Sequence, residues 1–257
     1  MSRITLITGA AGGIGKSLCR HFVAAGDTVL AQDRDAAGVQ ALVDELGAAR
    51  CLPVIADLTD GADLRQALAA VTRQTGPVEV LVANAGTAEG LTLETTTGDA
   101  WRRDMDINLN GTFETVTAVL PGMKAMGRGR LILIGSVNGM TALGHPAYSA
   151  AKAGLISYTK ALAMEYGKYG IRANIICPGT VKTPAWQARV DKNPHVFDDL
   201  KKWYPLQDFA SPEDIAAAAG FLASDAARMI TGVALPVDGG LMAGNRVMAE
   251  ELTLEAI

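Results

Sequence analysis

The chain has 257 residues, 49% of them hydrophobic, which suffices to bury the core of one large α/β domain without disulfide or metal support. Its 23 basic and 27 acidic residues leave a formal charge of -4, and no block of lysine or arginine marks a surface that would follow a phosphate backbone, so nucleic acid is not an expected partner. Cys19, Cys51 and Cys177 are scattered among apolar residues and read as reduced thiols of a cytoplasmic protein. No CxxC or His-x-x-x-His spacing offers a metal site, and the apolar run after Met1-Ser2-Arg3 is too short for a signal sequence or a membrane span.

Ile4 to Ile7 is a short apolar strand, followed by Thr8-Gly9-Ala10-Ala11-Gly12-Gly13-Ile14-Gly15 and a helical pattern of Leu18, Phe22 and Val23 that stops at Gly26. A glycine turn between strand and helix lets backbone amides and the positive helix end approach a pyrophosphate, so this junction reads as a dinucleotide-binding loop. Thr28 to Ala31 forms the second strand, with Asp33 just past its end. A carboxylate there accepts hydrogen bonds from the adenosine ribose hydroxyls and repels a 2′-phosphate, which favours NAD. Arg34 beside it is able to grip such a phosphate and keeps NADP as the alternative.

Val39, Leu42, Val43 and Leu46 give a helix ending at Gly47, and Cys51 to Ile55 the third strand, leading to Asp57-Leu58. Two readings stand for Asp57: a turn residue, or a contact to the adenine amino group. A helix from Asp60 to Arg73 and a strand from Val78 to Ala83 follow, closed by the small turn Asn84-Ala85-Gly86. The alternation predicts a parallel sheet with ligands at its carboxyl edge.

From Asp99 to about Met126 the spacing predicts one long helix, with Asn108 partly buried inside it and Pro121 bending or interrupting it. Arg130 to Ile134 is the fifth strand and delivers Ser136 to the same rim as the glycine loop. Tyr148 then opens a helix running to about Tyr166. At i and i+4, Tyr148 and Lys152 project from one face, and the ammonium there favours tyrosinate, drawing the phenol below its ordinary value of about 10 toward the range of a general base. Beyond Pro178-Gly179, the stretch from Pro184 to Ala210 carries Trp186, Phe197, Trp203, Tyr204 and Phe209, aromatics suited either to a substrate lid or to a subunit contact. Ser211-Pro212-Glu213-Asp214 is a capping-box start for a helix to about Ala223.

Thr8-Gly9-x-x-x-Gly13-x-Gly15, Asn84-Ala85-Gly86, Asn108, Ser136, Tyr148-x-x-x-Lys152 and Pro178-Gly179 together resemble the short-chain dehydrogenase/reductase family, in order and across nearly the whole chain. The Ser136 to Tyr148 separation is one residue shorter than in many members. The resemblance implies a single doubly wound Rossmann-like domain over 1–257, seven parallel strands in the order 3-2-1-4-5-6-7, strand six at Arg172 to Cys177 and strand seven at Val233 to Val237, with a substrate lid over about 184–210.

By the same resemblance Asn108, Ser136, Tyr148 and Lys152 are the catalytic set. Tyr148 exchanges the proton, Lys152 depresses its pKa and holds the nicotinamide ribose, Ser136 orients the substrate oxygen, and Asn108 bends its helix and carries a water linking Lys152 to solvent. The cofactor set implied is Gly9, Gly13, Ile14, Gly15, Asp33, Arg34, Asp57, Leu58, Asn84, Ala85, Gly86, Pro178, Gly179, Val181 and Thr183 with Tyr148 and Lys152. The Val181 backbone is expected to meet the carboxamide and Thr183 a phosphate.

The expected activity is hydride transfer between NAD and a secondary alcohol or its ketone, such as a sugar, polyol or hydroxy acid. The alternatives are an NADPH-dependent ketoreductase of 3-oxoacyl groups and a non-catalytic nucleotide sensor on the same fold. A serine hydrolase built on Ser136 lacks the Gly-x-Ser-x-Gly elbow. Asn138, His145 and Trp186 are candidate substrate contacts, and Arg189, Lys192, Lys201 and Lys202 stand either for recognition of an acidic substrate or for a solvated face. Relatives of this kind assemble as tetramers in which a tail like that from Leu241 to Ile257 can cross toward a neighbour's active site.

Overall fold

The computed structural model describes residues 2–256. Seven parallel strands form one sheet in the order β3-β2-β1-β4-β5-β6-β7. They are β1 (Ile4–Thr8), β2 (Thr28–Asp33), β3 (Cys51–Ile55), β4 (Val80–Ala83), β5 (Gly129–Ile134), β6 (Ile171–Pro178) and β7 (Ala234–Val237). The order reverses between β1 and β4, whose pairing sets Thr5 against Val80 and Ile7 against Val82. A crevice opens above the carboxyl ends at such a switch point.

Helices cover both faces, so the central strands are apolar on both sides. Side chains alternate: Leu6 of β1 joins one core, with Leu64 and Leu68 of α3 (Gly61–Thr75), Val116 and Met123 of α5 (Gly111–Met126) and Leu155 of α6 (Pro146–Tyr166). Ile7 joins the other, with Phe22 of α1 (Gly13–Ala24), Leu42 of α2 (Ala36–Leu46) and Ile215 of α9 (Pro212–Ala223). The capping box at Ser211 forms as read from the sequence, Ser211 Oγ accepting from Asp214 N while the Asp214 carboxylate accepts from Ser211 N.

Two expectations are corrected. Asp33 is the last residue of β2 and paired with Ile55, since the strand runs two residues beyond Ala31. The long helix after Asp99 is divided at Asn108: α4 (Gly98–Met105) passes into a π turn (Asp106–Asn110) and then α5. The wider turn leaves the Asp104 carbonyl to be met by Asn108 Nδ2 at 2.8 Å, and Nδ2 also donates to Thr87 O at 2.7 Å. Asn108 is wholly buried, and Pro121 sits inside α5 without ending it.

The segment after Thr183 also takes form. Two short helices form, α7 (Gln187–Lys192) and α8 (Val196–Lys201), and aromatics on and around them stack within the chain: Trp186 on Phe197 of α8 with centroids 5.3 Å apart, Phe197 on Phe209 at 5.5 Å, and Tyr204 on Phe209 at 4.7 Å. Helix α10 (Arg246–Thr253) follows the last strand, and no helix among the described residues is long and apolar enough to cross a membrane.

Candidate active site

The glycine loop needs its glycines for contact. A Cβ on Gly15 would overlap the Gly9 carbonyl oxygen, and one on Gly9, whose φ is +64°, would stand 2.8 Å from Ala85 Cα. Thr8 and Asn84 tie the two switch-point strands together: Thr8 Oγ1 accepts from the amides of Asn84 (3.0 Å) and Ala85 (3.1 Å), and Asn84 Nδ2 donates to Thr8 O (3.0 Å). Helix α1 begins with Gly12 as its N-cap and no capping side chain, so its first-turn amides have no side-chain acceptor.

These residues border a cleft of about 360 Å³. Gly9, Gly13, Ile14, Asp33, Arg34, Asp57, Leu58, Asn84, Ala85, Gly86 and Thr183 all line it. Asp33 is fixed at its rim, Oδ2 accepting from Ala11 N and Oδ1 from Asp35 N, both at 3.1 Å. Hydrogen bonds from the Thr59 amide and hydroxyl, then the charge of Arg34, hold the Asp57 carboxyl below the usual carboxylate range. Gly15 lies beneath the loop rather than on the cleft wall, Pro178 ends β6, and Val181 is buried in a bridge to Ala210. Gln32, Thr59, Thr87 and Ile107 also line the cleft; no motif marks them, and only their places beside strand ends and at the π turn bring them there.

Beside this cleft stand the polar groups of the second half. Ser136, one residue beyond Gly135 at the end of β5, accepts from Asn138 N at 3.1 Å. The 3-10 turn Val137–Gly139 that it caps packs on α6, where a Cβ on Gly139 would come within 2.6 Å of the Lys152 carbonyl carbon. Lys152 is 2% exposed; its Nζ donates to Ile134 O at 2.9 Å and lies 5.5 Å from the centroid of the Tyr148 ring. Burial draws its ammonium down to about 8. Asn108 Oδ1 has no hydrogen-bond partner, and a Cβ on Gly86 would lie 2.7 Å from it and 3.3 Å from Lys152 Nζ, so glycine keeps open the space the two groups face.

The balance at Tyr148 differs from the one the spacing suggests. Burial pushes the phenol up, and the main opposing influence is its hydrogen bond with Ser136 rather than the charge of Lys152. With Lys152 drawn down to about 8 and the phenol raised above its ordinary value, the amine is already neutral where the phenol would ionise, so its charge lends the tyrosinate no support.

Tyr148 and Ser136 open on a second cavity of about 870 Å³, which Asn138, His145, Trp186 and Gly179 also line. Of the four basic candidates only Arg189 reaches it; Lys201 pairs with Asp198 at 3.0 Å, and Lys202 lies over the Trp203 ring. Leu200, Trp203, Leu241, Met242 and Asn245 complete the wall, so part of the C-terminal stretch lines the chain's own cavity. Apart from Leu200 on α8, irregular connections place these residues, which leaves no periodic signal to find them by.

Residues 9–242 match a family model described as enoyl-(acyl carrier protein) reductase. The chain belongs to the short-chain dehydrogenase/reductase family. A solved oxidoreductase of that family from Burkholderia thailandensis is 65% identical, with a TM-score of 0.95 over 100% of this chain and 99% of its own. A 3-oxoacyl-[acyl-carrier protein] reductase from Brucella melitensis, solved with bound NAD, is 34% identical, with a TM-score of 0.85 over 93% of this chain and 90% of its own. A gluconate 5-dehydrogenase from Burkholderia cenocepacia, solved with NADP and tartrate, is 31% identical, with a TM-score of 0.89 over 95% of this chain and 97% of its own. As a short-chain dehydrogenase/reductase, the protein is an oxidoreductase of alcohols and ketones.

Proposed function

We propose that the protein interconverts a secondary alcohol and its ketone with NAD, using Tyr148 as the general acid–base. The observation that carries this reading is the convergence of Ser136, Tyr148 and buried Lys152 on one sheet edge, between the glycine-loop cleft and the 870 Å³ cavity. The residues present fit a nicotinamide dinucleotide. The uncapped start of α1 suits a pyrophosphate, the Asp33 carboxylate suits the ribose diol, and the open space before Asn108 Oδ1 and Lys152 Nζ suits polar groups able to satisfy them. When bound, the nicotinamide supplies the hydride donor or acceptor.

The chain's own residues move the proton. Tyr148 Oη takes it from the carbinol or returns it to the ketone, and Ser136 Oγ orients the same oxygen and stabilises negative charge developing on it. Lys152, drawn to about 8 by burial, exchanges protons near neutrality and lies beneath the ring. Gly9, Gly13, Ile14, Asp57, Leu58, Asn84, Ala85, Gly86 and Thr183 complete the cofactor wall in this reading, Gly15, Pro178 and Val181 support it from behind, and Asn138, His145 and Trp186 face substrate.

The same reading treats 1–257 as one domain with 184–210 as its lid, working in the cytoplasm as a homotetramer. Exposed Phe113 and Met164 on α5 and α6, and Phe221 on α9, supply apolar surface for such contacts. Arg34, exposed on the cleft and without a hydrogen bond or ion pair among the described residues, favours NADPH-dependent ketone reduction as the second reading.

Tyr148→Phe tests the chemistry. The variant is expected to show the wild-type thermal shift with NAD while its turnover of an alcohol panel, followed by the absorbance of reduced nicotinamide, falls by about a hundredfold to ten-thousandfold. Turnover within threefold of wild type would sink the assignment.

A further inference from the structure

The large cavity carries one formal cation and no carboxylate. Arg189 is the only basic side chain on its wall apart from the His145 imidazole, and neither Asp nor Glu lines it among the described residues. Arg189 makes no ion pair there, whereas most other arginines of the chain do.

Its guanidinium is nevertheless held in place. The Arg189 carbon Cζ lies 4.7 Å from the centroid of the Trp186 ring, and Nη2 donates to His145 Nε2 at 3.1 Å. His145 Nδ1 faces Gly90 O at 2.9 Å, so that nitrogen carries the proton and Nε2 is left as the acceptor that an arginine, having only donors, requires. The loop presenting Gly90 is held in turn by buried Asp104, whose carboxylate accepts from Glu89 N. His145 itself adopts a left-handed conformation with φ of 51°, a strained geometry for a non-glycine residue, held by the hydrogen bond its amide N–H donates to Leu91 O at 3.0 Å. A chain of four groups thus ends in a planar cation with free N–H donors at the cavity wall.

That wall also fixes distance and shape. The His145 ring meets the Tyr148 ring edge-on, centroids 6.4 Å apart, so Arg189 stands one imidazole away from the phenol. Val137, Leu143, Leu200, Leu241 and Met242 give the wall an aliphatic part, beside the neutral polar side chains of Asn138, Thr141, Thr180, Tyr204 and Asn245.

We propose that the substrate is a hydroxy acid or the corresponding oxo acid, with an aliphatic body and a carboxylate held by Arg189. This rests on the alcohol–ketone reading above and names its substrate class. A guanidinium matches a carboxylate in charge and in planar, two-donor geometry, whereas a phosphate dianion would call for a second cation that the wall lacks.

Calorimetric titration of the full chain with NAD present tests the assignment, using butyrate, neutral 2-pentanone and propyl phosphate as unreactive probes. Butyrate is expected to bind at least about tenfold tighter than either of the others. Arg189→Gln should lose about tenfold or more of the butyrate affinity while keeping the wild-type thermal shift with NAD, and Arg189→Lys should recover part of it. The proposal is overturned if 2-pentanone binds as tightly as butyrate, if propyl phosphate binds tighter, or if Arg189→Gln retains butyrate. Tyr148→Phe separates the two readings: it should bind butyrate like the wild type, and if it keeps turnover the acid–base role falls while the butyrate result still decides the anion site.

Discussion

The side-chain nitrogen of Lys152 donates to the main-chain carbonyl of Ile134, the last residue of β5, and this anchor draws the lysine beneath the Tyr148 ring and away from solvent. The ammonium is therefore a buried charge satisfied by one carbonyl, which disfavours its protonated form.

A stability slope follows. The folded-state value of about 8 lies below the ordinary lysine value of 10.5, so between these limits the unfolded chain binds more protons and stability rises with pH; below about 8 the whole penalty is present. The wild type should therefore gain about 3 kcal/mol of unfolding free energy relative to Lys152→Met from pH 8 to 10.5. Urea melts across that window measure it, and a difference independent of pH would show that the lysine titrates normally.

The sequence made the sheet legible because each strand of the first half ends at a turn-forming residue and each following helix shows its own period. That Thr8 to Gly15 and Ser136 meet at one rim was legible because strand ends fix where they emerge, and that Tyr148 and Lys152 share a face because they stand at i and i+4 on α6. The π turn was not, because Asn108 reads as an ordinary polar interruption until Asp104 O and Thr87 O are seen to need its amide. The direction of the Lys152 side chain escaped for a related reason: i,i+4 spacing places two residues on one face but does not say that a carbonyl of another strand captures the amine. Arg189 gave only an ambiguous basic signal, since its role depends on His145 and Trp186 meeting across a loop.

In the proposed function, cofactor choice is assigned to Asp33. Its carboxylate is presented at the cleft by the amides of Ala11 and Asp35, with Arg34 exposed beside it. Asp33→Asn keeps the size and an acceptor for one of the two amides but removes the charge that opposes a 2′-phosphate. The ratio of kcat/KM for NAD over NADP is expected to fall by at least about tenfold, which corresponds to 1.4 kcal/mol of relative binding. Steady-state kinetics with the two cofactors measure it. An unchanged ratio would move the determinant elsewhere on the cleft.

Asn108 joins fold and site through the same amide group. Asn108→Ala strands two carbonyls, Asp104 O and Thr87 O, at the π turn, where Asn108 itself is wholly buried. An unsatisfied buried carbonyl costs about 1–3 kcal/mol; Asp104 O is buried while Thr87 is exposed and its carbonyl can turn to water, so the variant should lose about 1–3 kcal/mol of unfolding free energy. Asn110 supplies the control: it is exposed on the same turn and bonds only the Asp106 side chain at 2.8 Å, so Asn110→Ala should change stability by less than about 0.5 kcal/mol. Urea denaturation of the two variants gives both numbers. Hydrogen exchange adds a spatial test, because without the amide the turn is free to relax toward the α register and the protection of residues 106–112 should fall more than that of β1 or β4. Equal losses in both variants would mean that the turn is held by its helical neighbours and not by Asn108.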